Sequence, residues 1–161
     1  LGARASSTEE RRSPMNITDK KAFCRQLIQT VWNEGKIDSL DNFVTPNSRY
    51  TDPSGSFKES NVDALKKYVL SFHKAFPDLN CKVEYQIAEG EQVATFMTVT
   101  ATHEGEFLGL PASHKKASVP AIVIQRFEGD KIAEGFTLWD TLTFLRNAGA
   151  FEAHEPALAS R

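Results

Sequence analysis

Midway along the chain the hydrophobic period changes, and that change limits the fold more than any other feature. Up to Phe76 apolar residues recur at helical spacing, and from Val83 onward they alternate. Thr18 can cap a first helix with Asp19 in its opening turn, and Phe23, Leu27, Ile28, Val31 and Trp32 mark its buried stripe up to Gly35. A short second helix holds Ile37, Leu40, Phe43 and Val44 and stops at Thr45-Pro46. Arg49-Tyr50-Thr51-Asp52 reads as a short strand, cut by Pro53 and followed by the turn-like Ser54-Gly55-Ser56. Asn61 can cap a third helix whose stripe is Leu65, Tyr68, Val69, Phe72 and Phe76, ended by Pro77.

Strands then follow one another. Val83, Tyr85 and Ile87 alternate with polar neighbours; 92–103, 117–127 and 131–140 are longer, and Glu89-Gly90-Glu91 and Glu128-Gly129-Asp130 turn the chain between them. A closing helix starts at Thr141 and ends at Gly149. Helices first and consecutive strands afterwards signal α+β architecture. A strongly curved sheet with helices on its concave side makes a cone whose mouth can hold a small molecule.

Composition excludes several functions. A net charge of −2 over 161 residues argues against a nucleic-acid binder driven by phosphate attraction, and His114-Lys115-Lys116 is too short to change that. No segment has the length of a membrane span. Cys24 and Cys81 lack metal-ligand spacing and read as reduced core thiols, which favours the cytoplasm. The four histidines show no HxH or HExxH spacing, so neither a metal nor a cofactor is expected. Residues 1–15 read as a flexible leader or an expression remnant, with Met15 fitting a natural start; 16–150 read as one domain and 151–161 as a tail.

Four segments carry a family likeness. They are Trp32-Asn-Glu-Gly-Lys-Ile-Asp38, Tyr50-Thr-Asp52-Pro53, the stretch Thr102-His103-Glu-Gly105-Glu-Phe107-Leu-Gly109-Leu-Pro111, and Gly129 to Asp140. With them, about Asn16 to Gly149 resembles the SnoaL-like polyketide cyclases, also called ester cyclases, of the nuclear-transport-factor-2-like superfamily. The resemblance implies a cone-shaped, curved antiparallel or mixed sheet wrapped around N-terminal helices, a cystatin-like α+β barrel with a short closing helix. It also implies intramolecular aldol ring closure, or a related proton transfer of isomerase or dehydratase type, without metal or cofactor. In such cyclases the acid ending the last strand serves as general acid and base, and Asp140 matches it. Two departures stand out. Phe136 replaces a common Trp, and Thr95-Phe96-Met97 stands where epoxide-opening relatives carry Arg-x-Asp.

Asp140 has two readings. Side chains alternate along a strand, so Glu134, Phe136, Leu138 and Asp140 share a face; if Phe136 and Leu138 line the cavity, Asp140 does too, with its pKa raised by desolvation. Alternatively Asp140 caps the closing helix, which would lower its pKa. His103 is either a pocket donor and proton partner to Asp140 or a histidine that fixes the loop 104–111. Asp52 is either a second pocket acid or a turn former before Pro53, and Tyr50 and Tyr68 can donate to a substrate oxygen. Trp32, Phe72, Phe76, Met97 and Phe136 complete the expected substrate wall.

The reaction expected is proton removal by Asp140 beside a carbonyl of a small hydrophobic, oxygenated molecule, with His103 and Tyr50 holding the oxygen where charge develops. A ligand-binding module without catalysis uses the same cavity. A homodimer is also expected, through the Thr/Val faces at 98–102 and 119–123.

Overall fold

The structure is a computed structural model that describes residues 15–53 and 61–147. Residues 1–14 of the expected leader, the turn at 54–56, the expected helix end at Gly149 and the tail 151–161 lie outside the described residues.

Helix α1 spans Ile17–Leu27 and is capped by Asn16, whose side chain accepts from Asp19 N at 2.9 Å, so the helix starts before the expected Thr18. It runs into a wider π-helical turn, Ile28–Asn33, and the chain leaves through Gly35 at φ +68°, where a β-carbon would be strained. A 3₁₀ turn, Ile37–Ser39, leads into α2, Leu40–Phe43. Strand β1, Val44–Thr51, begins earlier than expected and takes in Pro46. Proline is tolerated because β1 pairs on one side only, so a missing N–H breaks no ladder. Helix α3, Val62–Ala75, is capped as expected by Asn61, which accepts from Ala64 N at 2.8 Å.

The alternating half forms β2 (Asn80–Glu89), β3 (Gln92–Thr102), β4 (Lys116–Glu128) and β5 (Lys131–Trp139), followed by helix α4, Thr141–Asn147. The sheet order is β1-β5-β4-β3-β2, with β1 parallel to β5 and the other pairs antiparallel. The expected α+β architecture with a mixed sheet is present, and the sheet is open, with β1 and β2 as its edges.

Cys24, Leu27 and Val31 of the first helix and Leu65 and Val69 of α3 pack on Val93, Met97, Val123, Phe127 and Ile132 of the sheet. Each such buried side chain contributes roughly 1.5–3 kcal/mol. A second cluster joins Phe76 and Leu79 to Ala101, Val119 and Phe144. Register decides which strand residues face these helices. Gly135 pairs with Gln125, Thr137 with Val123 and Trp139 with Ala121; the alternate pairs Phe136 with Ile124 and Leu138 with Ile122 turn outward.

Candidate active site

A cavity of about 90 Å³ lies between the helices and the inner face of the sheet. Its walls include Leu27 of α1, Ile28 and Trp32 of the π-helical turn, Leu65, Tyr68, Val69 and Phe72 of α3, Phe76 just after it, and Met97, Val99, Ala121, Val123, Thr137 and Trp139 from the strands. The wall is mostly apolar, as small-molecule sites usually are. Trp32 contacts Phe72 at 5.7 Å and Phe72 contacts Trp139 at 5.9 Å, both edge-on. The π-helical turn that carries Trp32 is tied to β2: Asn33 Oδ1 accepts from Cys81 N at 2.7 Å and Asn33 Nδ2 donates to Cys81 O at 3.1 Å.

Polar residues interrupt this wall at Tyr50, Thr51, Asp52, Tyr68, Gln125 and Thr137. Tyr50, the penultimate residue of β1, pairs with Gly135 of β5, which in turn pairs with Gln125 of β4. The Tyr50 ring lies across β5 because Gly135 has no side chain; a β-carbon there would stand 2.1 Å from Tyr50 Cε1. Gln125 Nε2 donates to Tyr50 Oη at 3.5 Å, the long limit of such a bond. Burial pushes the Tyr50 phenol well above its ordinary value. Burial, and then the nearby Asp52 carboxylate, does the same to Tyr68. Both hydroxyls therefore keep their protons at neutral pH.

Trp32, Tyr50, Asp52, Phe72, Phe76 and Met97 line the cavity. Phe136 does not: it is 41% exposed on the outer face, in the same row as Leu138 at 47%. Asp140 is absent from the cavity wall and partly exposed. Its Oδ1 accepts from Thr143 N at 2.9 Å, so it caps α4. That backbone bond, then the Thr143 side chain, lowers its pKa, the reverse of the expected desolvation. The parity of β5 explains both corrections, since Thr137 and Trp139 take the inward positions.

His103 is 2% exposed but lies behind the wall, its ring 5.4 Å from Phe76. Its Nδ1 is 3.2 Å from Ser113 Oγ, and its backbone bonds Lys115 O at 3.0 Å and His114 N at 2.9 Å. These contacts fix the 104–114 loop, and the structure does not bring His103 and Asp140 together at the cavity. Tyr68 was read from sequence as a possible donor and does line the cavity, whereas Gln125, Gly135 and Trp139 were not among the site residues expected from sequence. Gln125 carried a signal: it is the polar member of an inward series in β4, Ala117, Val119, Ala121, Val123, Gln125 and Phe127.

A family model for SnoaL-like polyketide cyclases matches residues 22–148. The chain belongs to the SnoaL-like polyketide cyclase family. Solved structures agree on the fold. TsrD from Streptomyces laurentii is 23% identical, with a TM-score of 0.77 over 85% of this chain and 99% of that one. AclR from Streptomyces galilaeus is 26% identical, with a TM-score of 0.74 over 85% of this chain and 100% of that one. A SnoaL-like polyketide cyclase from Agrobacterium tumefaciens is 19% identical, with a TM-score of 0.63 over 82% and 98%. No curated protein matches the sequence.

As a SnoaL-like protein, the chain can be judged by its ionisable groups. Cys24 and Cys81 are free and buried, and burial pushes each thiol up to about 12, so neither is a nucleophile at neutral pH. Among the described residues no cluster of three His, Cys, Asp or Glu could hold a metal ion. No described helix is long and apolar enough to cross a membrane. Among the described residues Asp52 is the carboxylate that lines the cavity, with the protonated phenols of Tyr50 and Tyr68 on the same wall.

Proposed function

We propose that this SnoaL-like protein catalyses cofactor-independent proton transfer on a small hydrophobic carbonyl compound, leading to intramolecular aldol ring closure. The observation that carries this reading is one carboxylate, Asp52, set with two protonated phenols in a wall that is otherwise mostly apolar. Asp52 takes the proton from the carbon beside a carbonyl. The tyrosine hydroxyls donate to the oxygen that becomes the enolate. The enolate carbon then forms a bond to a second carbonyl of the same molecule, and the new alkoxide takes the proton back from Asp52. Such a shuttle contributes roughly 10²–10⁴-fold, and holding the chain folded for closure adds to it.

A cavity of about 90 Å³ is smaller than the ~150 Å³ cavity that holds benzene, so a cyclic substrate would place only its reacting carbonyl end there. Turnover of a substrate found by screening tests the reading. Asp52→Asn should lose at least about 100-fold in kcat and Asp140→Asn little; the opposite order would return the proton transfer to the cap residue.

The outer sheet face supports a homodimer. Tyr85, Ile87, Ile124, Phe136 and Leu138 form adjacent rows there and are 38–64% exposed. Of the faces expected at 98–102 and 119–123, Thr98, Thr100 and Thr102 stay partly exposed, while Val119 and Val123 point inward. Two buried, reduced thiols support a cytoplasmic setting.

A further inference from the structure

We propose that Gly135 and Gln125 are positioning residues that aim the Tyr50 hydroxyl proton at a carbonyl oxygen in the cavity. The inference rests on the carbonyl chemistry proposed above and names the device that would hold the oxygen. Three neighbouring strands supply it in one row, Tyr50 on β1, Gly135 on β5 and Gln125 on β4. A tyrosine at the end of an edge strand would ordinarily stand up from its own strand. Here its ring crosses the next strand, because position 135 presents only backbone. Any side chain there would meet ring carbons at 2.1 and 2.4 Å, and the hydroxyl would be displaced from Gln125.

Gln125 sets the direction of the proton. A hydroxyl has one proton and two lone pairs. The amide N–H of Gln125 occupies a lone pair of Tyr50 Oη, so the phenolic proton is not spent on Gln125. Gln125 itself is 2% exposed, and its Oε1 is buried with no hydrogen-bond partner among the described residues. The reversed amide would bury an unpartnered NH₂ with two donors in place of that one acceptor, a worse arrangement. The proton of Tyr50 is left for an acceptor in the cavity, and a carbonyl oxygen is such an acceptor.

Carbonyl-labelled acetophenone, followed by infrared spectroscopy and titration, tests this without needing turnover. In the wild-type protein the bound carbonyl should absorb at lower frequency than in hexane. Tyr50→Phe should abolish that shift and weaken binding roughly tenfold. Folded Gly135→Ala should do the same, and the double variant should be no worse than either single one. Gln125→Met should broaden the band and move it only partway. A merely structural glycine would leave the frequency of bound ketone alone. The inference is overturned if the wild-type band is unshifted, if Tyr50→Phe keeps the shift, or if folded Gly135→Ala keeps it. Should Gly135→Ala not fold, Tyr50→Phe and Gln125→Met decide. Because no step of this assay involves Asp52, it can fail while Asp52→Asn still abolishes turnover, and the two readings fall separately.

Discussion

A carboxylate's behaviour follows from what its oxygens touch. Asp140 accepts a backbone N–H at the start of α4 and is held ionised, a state suited to capping. Asp140→Ala should therefore lower the melting temperature by fraying α4, while the cavity keeps its ligands; calorimetry with a bound aromatic ketone checks both. Glu134 behaves similarly on the surface. Arg126 first, then Arg49, holds its carboxyl down to about 2. A depressed acid contributes stability above its ordinary value, lost as pH falls through the folded one. Urea midpoints should accordingly fall between pH 4.5 and about 2, and Glu134→Gln should flatten that part of the curve. Sequence showed that Asp140 stood where a cap or a pocket acid belongs. It did not show which, because β5 carries large apolar residues on both faces: Phe136 and Leu138 on one, Trp139 on the other. Alternation fixes that these sets oppose each other, and only pairing with β4 says which is inside.

Secondary elements place the site, and their ends matter most. The π-helical turn at Ile28–Asn33 directs Trp32 into the cavity, and Asn33 locks it to β2 through both polar atoms of its amide. Asn33→Ala would strip partners from the Cys81 backbone and should cost about 1–3 kcal/mol, read from urea denaturation, with a change in tryptophan emission as Trp32 loosens. The loop after β3 is held just as closely. Glu104 N and Gly105 N both donate to Ala75 O, at 2.9 and 3.0 Å, and a β-carbon on Gly105 would stand 2.6 Å from Lys74 O. Gly105→Ala should thus destabilise the fold by about 1–3 kcal/mol. Helix stripes, the Asn61 cap and the run of consecutive strands were legible, since period and capping are local. The π turn, the entry of Pro46 into β1 and the crossing of Tyr50 over Gly135 were not, because each depends on a partner strand distant in sequence.

At the scale of the whole molecule, the open sheet has two working faces. The inner one holds the cavity; the outer one presents Tyr85, Ile87, Phe136 and Leu138 to a second copy in the proposed homodimer. On that proposal the wild type should give a dimer by light scattering, and Phe136→Lys with Leu138→Lys a monomer. Family likeness made the cone legible before any coordinates, while the acid inside it required them. The most direct test follows the proton itself. With a short diketone in D₂O, mass spectrometry reads deuterium entering beside the carbonyl. Exchange should outrun the buffer, fall about 100-fold or more in Asp52→Asn and persist in Asp140→Asn. Exchange at the buffer rate, or loss in Asp140→Asn with Asp52→Asn unaffected, would contradict the account.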